Sequence, residues 1–256
     1  MTQPEIHQFP CLKDNYGVLV HDREGGVTLA IDAPDGAAVL AAVDERGWQL
    51  THILVTHHHA DHIAGIPAVR SKTSCKVIGP KSEAARIPGL DQAVGEPDVL
   101  SLGNLKVAVL DTPGHTIGHV SYWIEQAGVA FVGDTLFAMG CGRVLEGTPQ
   151  MMWGSLEKIA RLPRGTLLYC GHEYTVSNAK FGLSIEPENK RIATRLADAE
   201  AARADGRATL PTRVDLELET NVFLRVDQPA IRTLTGLAKA ENWKVFADLR
   251  ERKNRA

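Results

Sequence analysis

Four apolar runs in this chain lead directly to a histidine or an aspartate. "THILVT" at 51–56 runs into "HHHADH", "LKVAVLD" at 105–111 reaches His115 through Thr-Pro-Gly, "VAFVG" at 129–133 stops at Asp134, and "TLLYCG" at 166–171 stops at His172. Each run is short, rich in β-formers and bounded by turn residues, which predicts buried strands. Open α/β sheets place ligand sites beyond strand ends. The repeated ending therefore favours a fold that gathers these polar groups.

More strands are expected at 16–20, 27–32, 75–79 and 121–124. Helical patterning occupies 35–47, with Gly47 as its stop, and 155–163, with Ser155 as N-cap and Pro163 beyond the end. After Gly171 the strand pattern ceases. One long helix is predicted over 187–206, an irregular connection over 207–222, and two helices over 227–253. These patterns divide the chain into an α/β body, 1–172, and a helical domain, 173–256.

Within "THHHADH", an extended segment puts His57 and His59 on one side and turns His58 away. Asp61 and His62 follow as the chain turns toward a helix, where they can face a second point. Two imidazoles suit one divalent transition metal, and a carboxylate beside an imidazole suits another. Neither set is complete, so His115, Asp134 and His172 are candidates for the rest.

The 256 residues carry a formal charge of −3, with 44% hydrophobic and 23% charged residues. That balance gives no overall basic field for a nucleic-acid backbone. No apolar run is long enough for a membrane span, and the start lacks a signal-peptide pattern; a cytoplasmic protein is expected. Cys11, Cys75, Cys141 and Cys170 form no CxxC pair and read as buried thiols. There is no G-x-S-x-G elbow, so a covalent serine mechanism has no support.

The motifs "THHHADH", "DTPGHTIGH", "FVGDTLF" and "YCGHEYT" resemble the metallo-β-lactamase superfamily and, within it, the glyoxalase II (hydroxyacylglutathione hydrolase) family. The resemblance extends from "LKDNYGVLV" through "GCGRVLEGT" and "GHEYTVSNAKF" to "LRERK". It implies a four-layer αβ/βα sandwich with a C-terminal helical domain. It also implies His57, His59 and His115 on one metal, Asp61, His62 and His172 on a second, and Asp134 bridging. The metals implied are two divalent ions, zinc first, with iron and manganese also compatible. The activity implied is hydrolysis of S-D-lactoylglutathione to D-lactate and glutathione by a metal-bridging hydroxide, in methylglyoxal detoxification. Asp61 and Asp134 are the catalytic candidates.

By the same resemblance Arg143, Tyr174, Arg250 and Lys253 contact glutathione, and a monomer acting on a small molecule, without nucleic acid or membrane, is expected. Three departures bear on substrate recognition: Arg143 stands where the family often has lysine, Leu145 where some members have an aromatic, and "NVFLR" replaces Asn-Pro-Phe-hydrophobic-Arg. Two other readings stay open here: an iron-dependent persulfide dioxygenase of the same fold, which shares the histidine pattern, and a non-hydrolytic di-iron module. "GHEYT" and the C-terminal R-x-x-K favour the hydrolase over the first, and His59, where such modules carry an acid, argues against the second.

Overall fold

A computed structural model describes residues 3–256. They form two compact units: residues up to Asp111 with Thr116–Gly133, and Thr112–His115 with Asp134–Ala256.

In the first unit, β1 (Glu5–Cys11), β2 (Asn15–Asp22) and β3 (Val27–Ile31) are antiparallel. The sheet continues in parallel through β4 (His52–Leu54), β5 (Lys76–Pro80) and β6 (Gln92–Val94), in the order β1-β2-β3-β4-β5-β6. Parallel β3 and β4 need a crossover, supplied by α1 (Gly36–Arg46). Asp35 caps that helix through the N–H groups of Ala37 and Ala38, and Gly47 ends it in the left-handed region. Its Val39, Ala42 and Val43 pack with Leu19, Ile53 and Val69 in the core. All five residues of β3 are buried, as expected of a strand covered on both faces.

Beyond β4 come two short helices, α2 (Ala60–Ile63) and α3 (Ile66–Arg70). The same unit contains an antiparallel meander of β7 (Val99–Leu102), β8 (Leu105–Asp111), β9 (Val120–Ile124) and β10 (Val129–Gly133).

The second unit opens with a small hairpin, β11 (Leu136–Phe137) and β12 (Gly140–Cys141). It continues with α4 (Pro149–Ala160), β13 (Leu167–Cys170), α5 (Thr175–Ile185), α6 (Lys190–Ala204), β14 (Thr212–Arg213), α7 (Val214–Thr220), α8 (Pro229–Thr235) and α9 (Asn242–Arg255). Phe223 anchors its helical core, with ring centroids 5.8 Å from Phe181 and 6.0 Å from Phe246.

Three sequence expectations give way here. The helix expected from Ser155 starts seven residues earlier: Thr148 is its N-cap and Pro149 occupies the first turn, where a missing N–H does no harm. Ser155 lies inside α4 and donates to the carbonyls of Pro113 and Met151. The helix expected at 187–206 begins at Lys190, because Asn189 accepts from the N–H groups of Arg191 and Ile192 and fixes the start after Pro187. The connection expected at 207–222 contains β14 and α7.

Candidate metal centre

Asp32 organises the donors of the first unit. It ends the apolar run "VTLAID", is buried, and has φ 58, a left-handed backbone that a non-glycine residue adopts only under local constraint. The constraint is visible: its carboxylate accepts from Thr56 N (2.7 Å), Thr56 Oγ1 (2.9 Å) and His62 Nδ1 (2.8 Å). Because the Thr56 hydroxyl proton points to Asp32, its oxygen accepts from His57 Nδ1 at 3.1 Å. In neutral His57 and His62 the protons therefore sit on Nδ1 and the lone pairs on Nε2, the arrangement a metal-binding histidine needs.

His57 Nε2 lies 3.1 Å from His59 Nδ1, with the rings edge to face. The expected pairing of these two side chains is present. His62 Nε2 is 3.8 Å from Asp61 Oδ2, and Asn15 Nδ2 donates to both the carbonyl and Oδ2 of Asp61. Gly133 has φ 46, and a Cβ there would fall 2.6 Å from His119 Nε2 and 2.7 Å from Thr56 Oγ1. No larger residue fits without moving these groups. His119 stacks on His57.

His58 faces elsewhere. Its backbone N and Nδ1 lie 2.7 and 2.8 Å from Glu83 Oε2, while Glu83 Oε1 accepts from Gly118 N and the Thr116 hydroxyl. One buried carboxylate thus joins the histidine loop to residues 116–118.

In the second unit, Asp134 Oδ2 is 3.4 Å from His115 Nε2 and 3.3 Å from His172 Nε2. His115 Nδ1 donates to the carbonyl of Arg143 at 2.9 Å. A carbonyl only accepts, so neutral His115 turns its Nε2 lone pair toward a carboxylate oxygen. That contact is repulsive unless a cation or an added proton intervenes. The turn presenting His115 needs Gly114: its φ is 143, and a Cβ would sit 2.7 Å from the Met152 backbone. His172 stacks on Tyr174 at 4.9 Å and 4°, with Phe137 edge-on to both. The chain's histidines and aspartates include groups of three whose donor atoms fit a metal ion.

Arg143 and Tyr174 are exposed. Arg250 is buried, donating to the Cys141 carbonyl at 2.9 Å, and lies over the Phe223 ring. Lys253 donates to the carbonyl and hydroxyl of Ser177. Burial, reinforced by Arg250, lowers the Lys253 pKa below 10.5. Burial pushes Cys11 up to about 11 and Cys170 up to about 12, so neither is a thiolate nucleophile at neutral pH.

Sequence reasoning missed Asp32, Glu83, Phe137 and the Arg143 carbonyl. Only Asp32 had a signal, an apolar run ending in a carboxylate just as "VAFVGD" does. The others act through contacts between segments far apart in the chain.

The donor set and the sheet architecture define a class before any particular enzyme: a metal-binding protein of the metallo-β-lactamase fold. Residues 24–172 match the family model for the metallo-beta-lactamase superfamily, and residues 173–256 match that for the hydroxyacylglutathione hydrolase C-terminus. The chain is 48% identical over 254 residues to a hydroxyacylglutathione hydrolase of Rhizobium meliloti (strain 1021), covering 99% of each chain. It is 50% identical over 250 residues to one of Mesorhizobium japonicum, covering 98% of each. Among solved structures, ETHE1 from Myxococcus xanthus superposes with a TM-score of 0.70 at 26% identity, covering 98% of this chain and 91% of that one. The BLEG-1 B3 metallo-beta-lactamase gives 0.66 at 22% identity, covering 86% and 99%. The chain belongs to the hydroxyacylglutathione hydrolase family of the metallo-β-lactamase superfamily.

Proposed function

We propose that this enzyme hydrolyses S-2-hydroxyacylglutathione thioesters, S-D-lactoylglutathione foremost, to D-lactate and glutathione, the second step of methylglyoxal detoxification. The observation carrying the chemistry is Asp134 Oδ2, which has the Nε2 atoms of two histidines within 3.4 Å. One carboxylate between two imidazoles suits a bridging ligand. His57, His59 and His115 would hold one ion, Asp61, His62 and His172 the other, with Asp134 between them. Zinc is the first candidate, although imidazole and carboxylate donors also accept iron and manganese.

Two divalent ions bound there would supply Lewis acidity, of the kind that lowers the pKa of water from about 15.7 to about 7 and polarises a carbonyl oxygen. The chain's own residues keep the donors ready. Asp32 and Thr56 hold the Nδ1 protons of His62 and His57, the Arg143 carbonyl holds that of His115, and Asn15 fixes Asp61. A thiol with a pKa of about 8.5 leaves with little proton assistance, so no general acid is required.

Residues 173–256 supply most of the glutathione contacts in this reading, with Tyr174, Arg250 and Lys253 joined by Arg143, and residues 1–172 supply the metal donors. The meeting of two family models at 172/173 supports that division. On the same footing we propose a cytoplasmic monomer acting on a small molecule, without nucleic-acid or membrane partners. Among the described residues no helix is long and apolar enough to cross a membrane.

The C-terminal family match favours this hydrolase over a persulfide dioxygenase. The test is thioester cleavage of S-D-lactoylglutathione measured beside oxygen consumption with glutathione persulfide. Cleavage without oxygen uptake is expected; the reverse would overturn the assignment.

A further inference from the structure

Five consecutive residues, Phe137 to Cys141, each give a backbone group to a side chain from a C-terminal helix or its end. Asn221 Nδ2 donates to the carbonyls of Phe137 (3.3 Å) and Gly140 (2.9 Å), and Asn178 Nδ2 to that of Ala138 (3.1 Å). Met139 N donates to Glu217 Oε2 (2.8 Å), and Arg250 Nη1 to the Cys141 carbonyl (2.9 Å). The hairpin β11–β12 has only Ala138 and Met139 between its strands, and Met139 has φ 58. A left-handed methionine needs its surroundings to hold it.

The holding groups are themselves fixed. Glu217 is fully buried; its Oε2 also accepts from Asn221 Nδ2, and its Oε1 accepts from Arg195 and Thr212. Phe223 N donates to Asn221 Oδ1, which orients the amide so that Nδ2 faces the hairpin.

The clamp reaches the groups proposed to recognise the substrate. Phe137 stands edge-on to Tyr174 and His172, with centroids at 5.4 and 5.8 Å. The Cys141 carbonyl anchors Arg250. We infer that Glu217, Asn221 and Asn178 are positioning residues for glutathione recognition, acting through the Phe137–Cys141 hairpin on Tyr174 and Arg250. This inference rests on the proposed thioesterase reading.

The test uses the full-length, metal-loaded protein and the variants Asn221→Ala and Asn178→Ala. The latter removes a single carbonyl contact, so it remains informative if the former fails to fold. Glu186→Gln breaks the Arg225–Glu186 pair elsewhere in the helical region and serves as a structural control. Three readouts are taken: metal content, the KM and kcat for S-D-lactoylglutathione, and the Kd for the non-hydrolysable S-methylglutathione.

The clamp variants should raise KM and Kd about tenfold while changing kcat less than about twofold, with metal content intact. Glu186→Gln should lower the melting temperature and leave KM alone. A folded Asn221→Ala or Asn178→Ala with wild-type Kd overturns the clamp, as does an equal rise in KM from Glu186→Gln. Unmodified protein that neither cleaves the thioester nor binds S-methylglutathione overturns the functional reading, and the clamp with it.

Discussion

Asp32 acts on both proposed metal positions, since it holds His62 directly and His57 through Thr56. Asp32→Asn keeps the volume but loses the charge that stabilises these N–H donors. Metal affinity should fall about 10- to 100-fold, measured by competition with a chelating dye; unchanged affinity would remove Asp32 from the account. Lys253 gives a pH dependence. Its folded pKa is lowered, so across the interval between that value and 10.5 the unfolded chain binds more protons, and folding stability rises with pH there. Over the same interval the folded protein loses a cation proposed to bind a glutathione carboxylate. KM should therefore climb in alkaline solution in the wild type, and Lys253→Arg, whose charge persists, should lack that rise. Identical KM profiles would count against Lys253 as a glutathione contact.

Among the elements, α4 links two distant features. Thr148 accepts from Met151 N at its start, and Ser155 reaches the Pro113 carbonyl in the turn that presents His115. Thr148→Ala should cost about 1 kcal/mol of stability, the usual worth of an N-cap, in a denaturant titration. Gly114→Ala should cost about 2 kcal/mol and also loosen metal, because both its φ and the Met152 backbone oppose a side chain. Strand ends were legible in the sequence because burial on both faces leaves continuous apolar runs, as in β3 and β10. Helix starts were less so. In α4 Pro149 reads as a breaker although it sits in the first turn, and Ser155 imitates a cap while donating to the Pro113 carbonyl. In α7 the run "VDLELET" is too short and acidic to declare itself, yet it carries Glu217, whose partners lie as far away as Met139.

For the molecule as a whole, the proposed metal donors stood out in the sequence, since histidines and aspartates at strand ends are conspicuous against ordinary composition. The groups that orient them did not, because Asn15 and the Arg143 carbonyl gain meaning only from a fold that brings distant segments together. The metals should also stabilise the fold. With free metal at a thousand times Kd, linkage gives about 4 kcal/mol, so chelator-treated protein should melt lower in calorimetry and recover on reloading. The central proposal is that Asp134 would be a shared ligand of two ions used in thioester cleavage. Its most direct test is metal content per chain measured alongside turnover of S-D-lactoylglutathione, in wild type and Asp134→Ala. Two metal equivalents are expected in the wild type, with metal depleted and turnover lost together in the variant. A metal-free wild type that still cleaves the thioester, or a variant with full turnover, would contradict it.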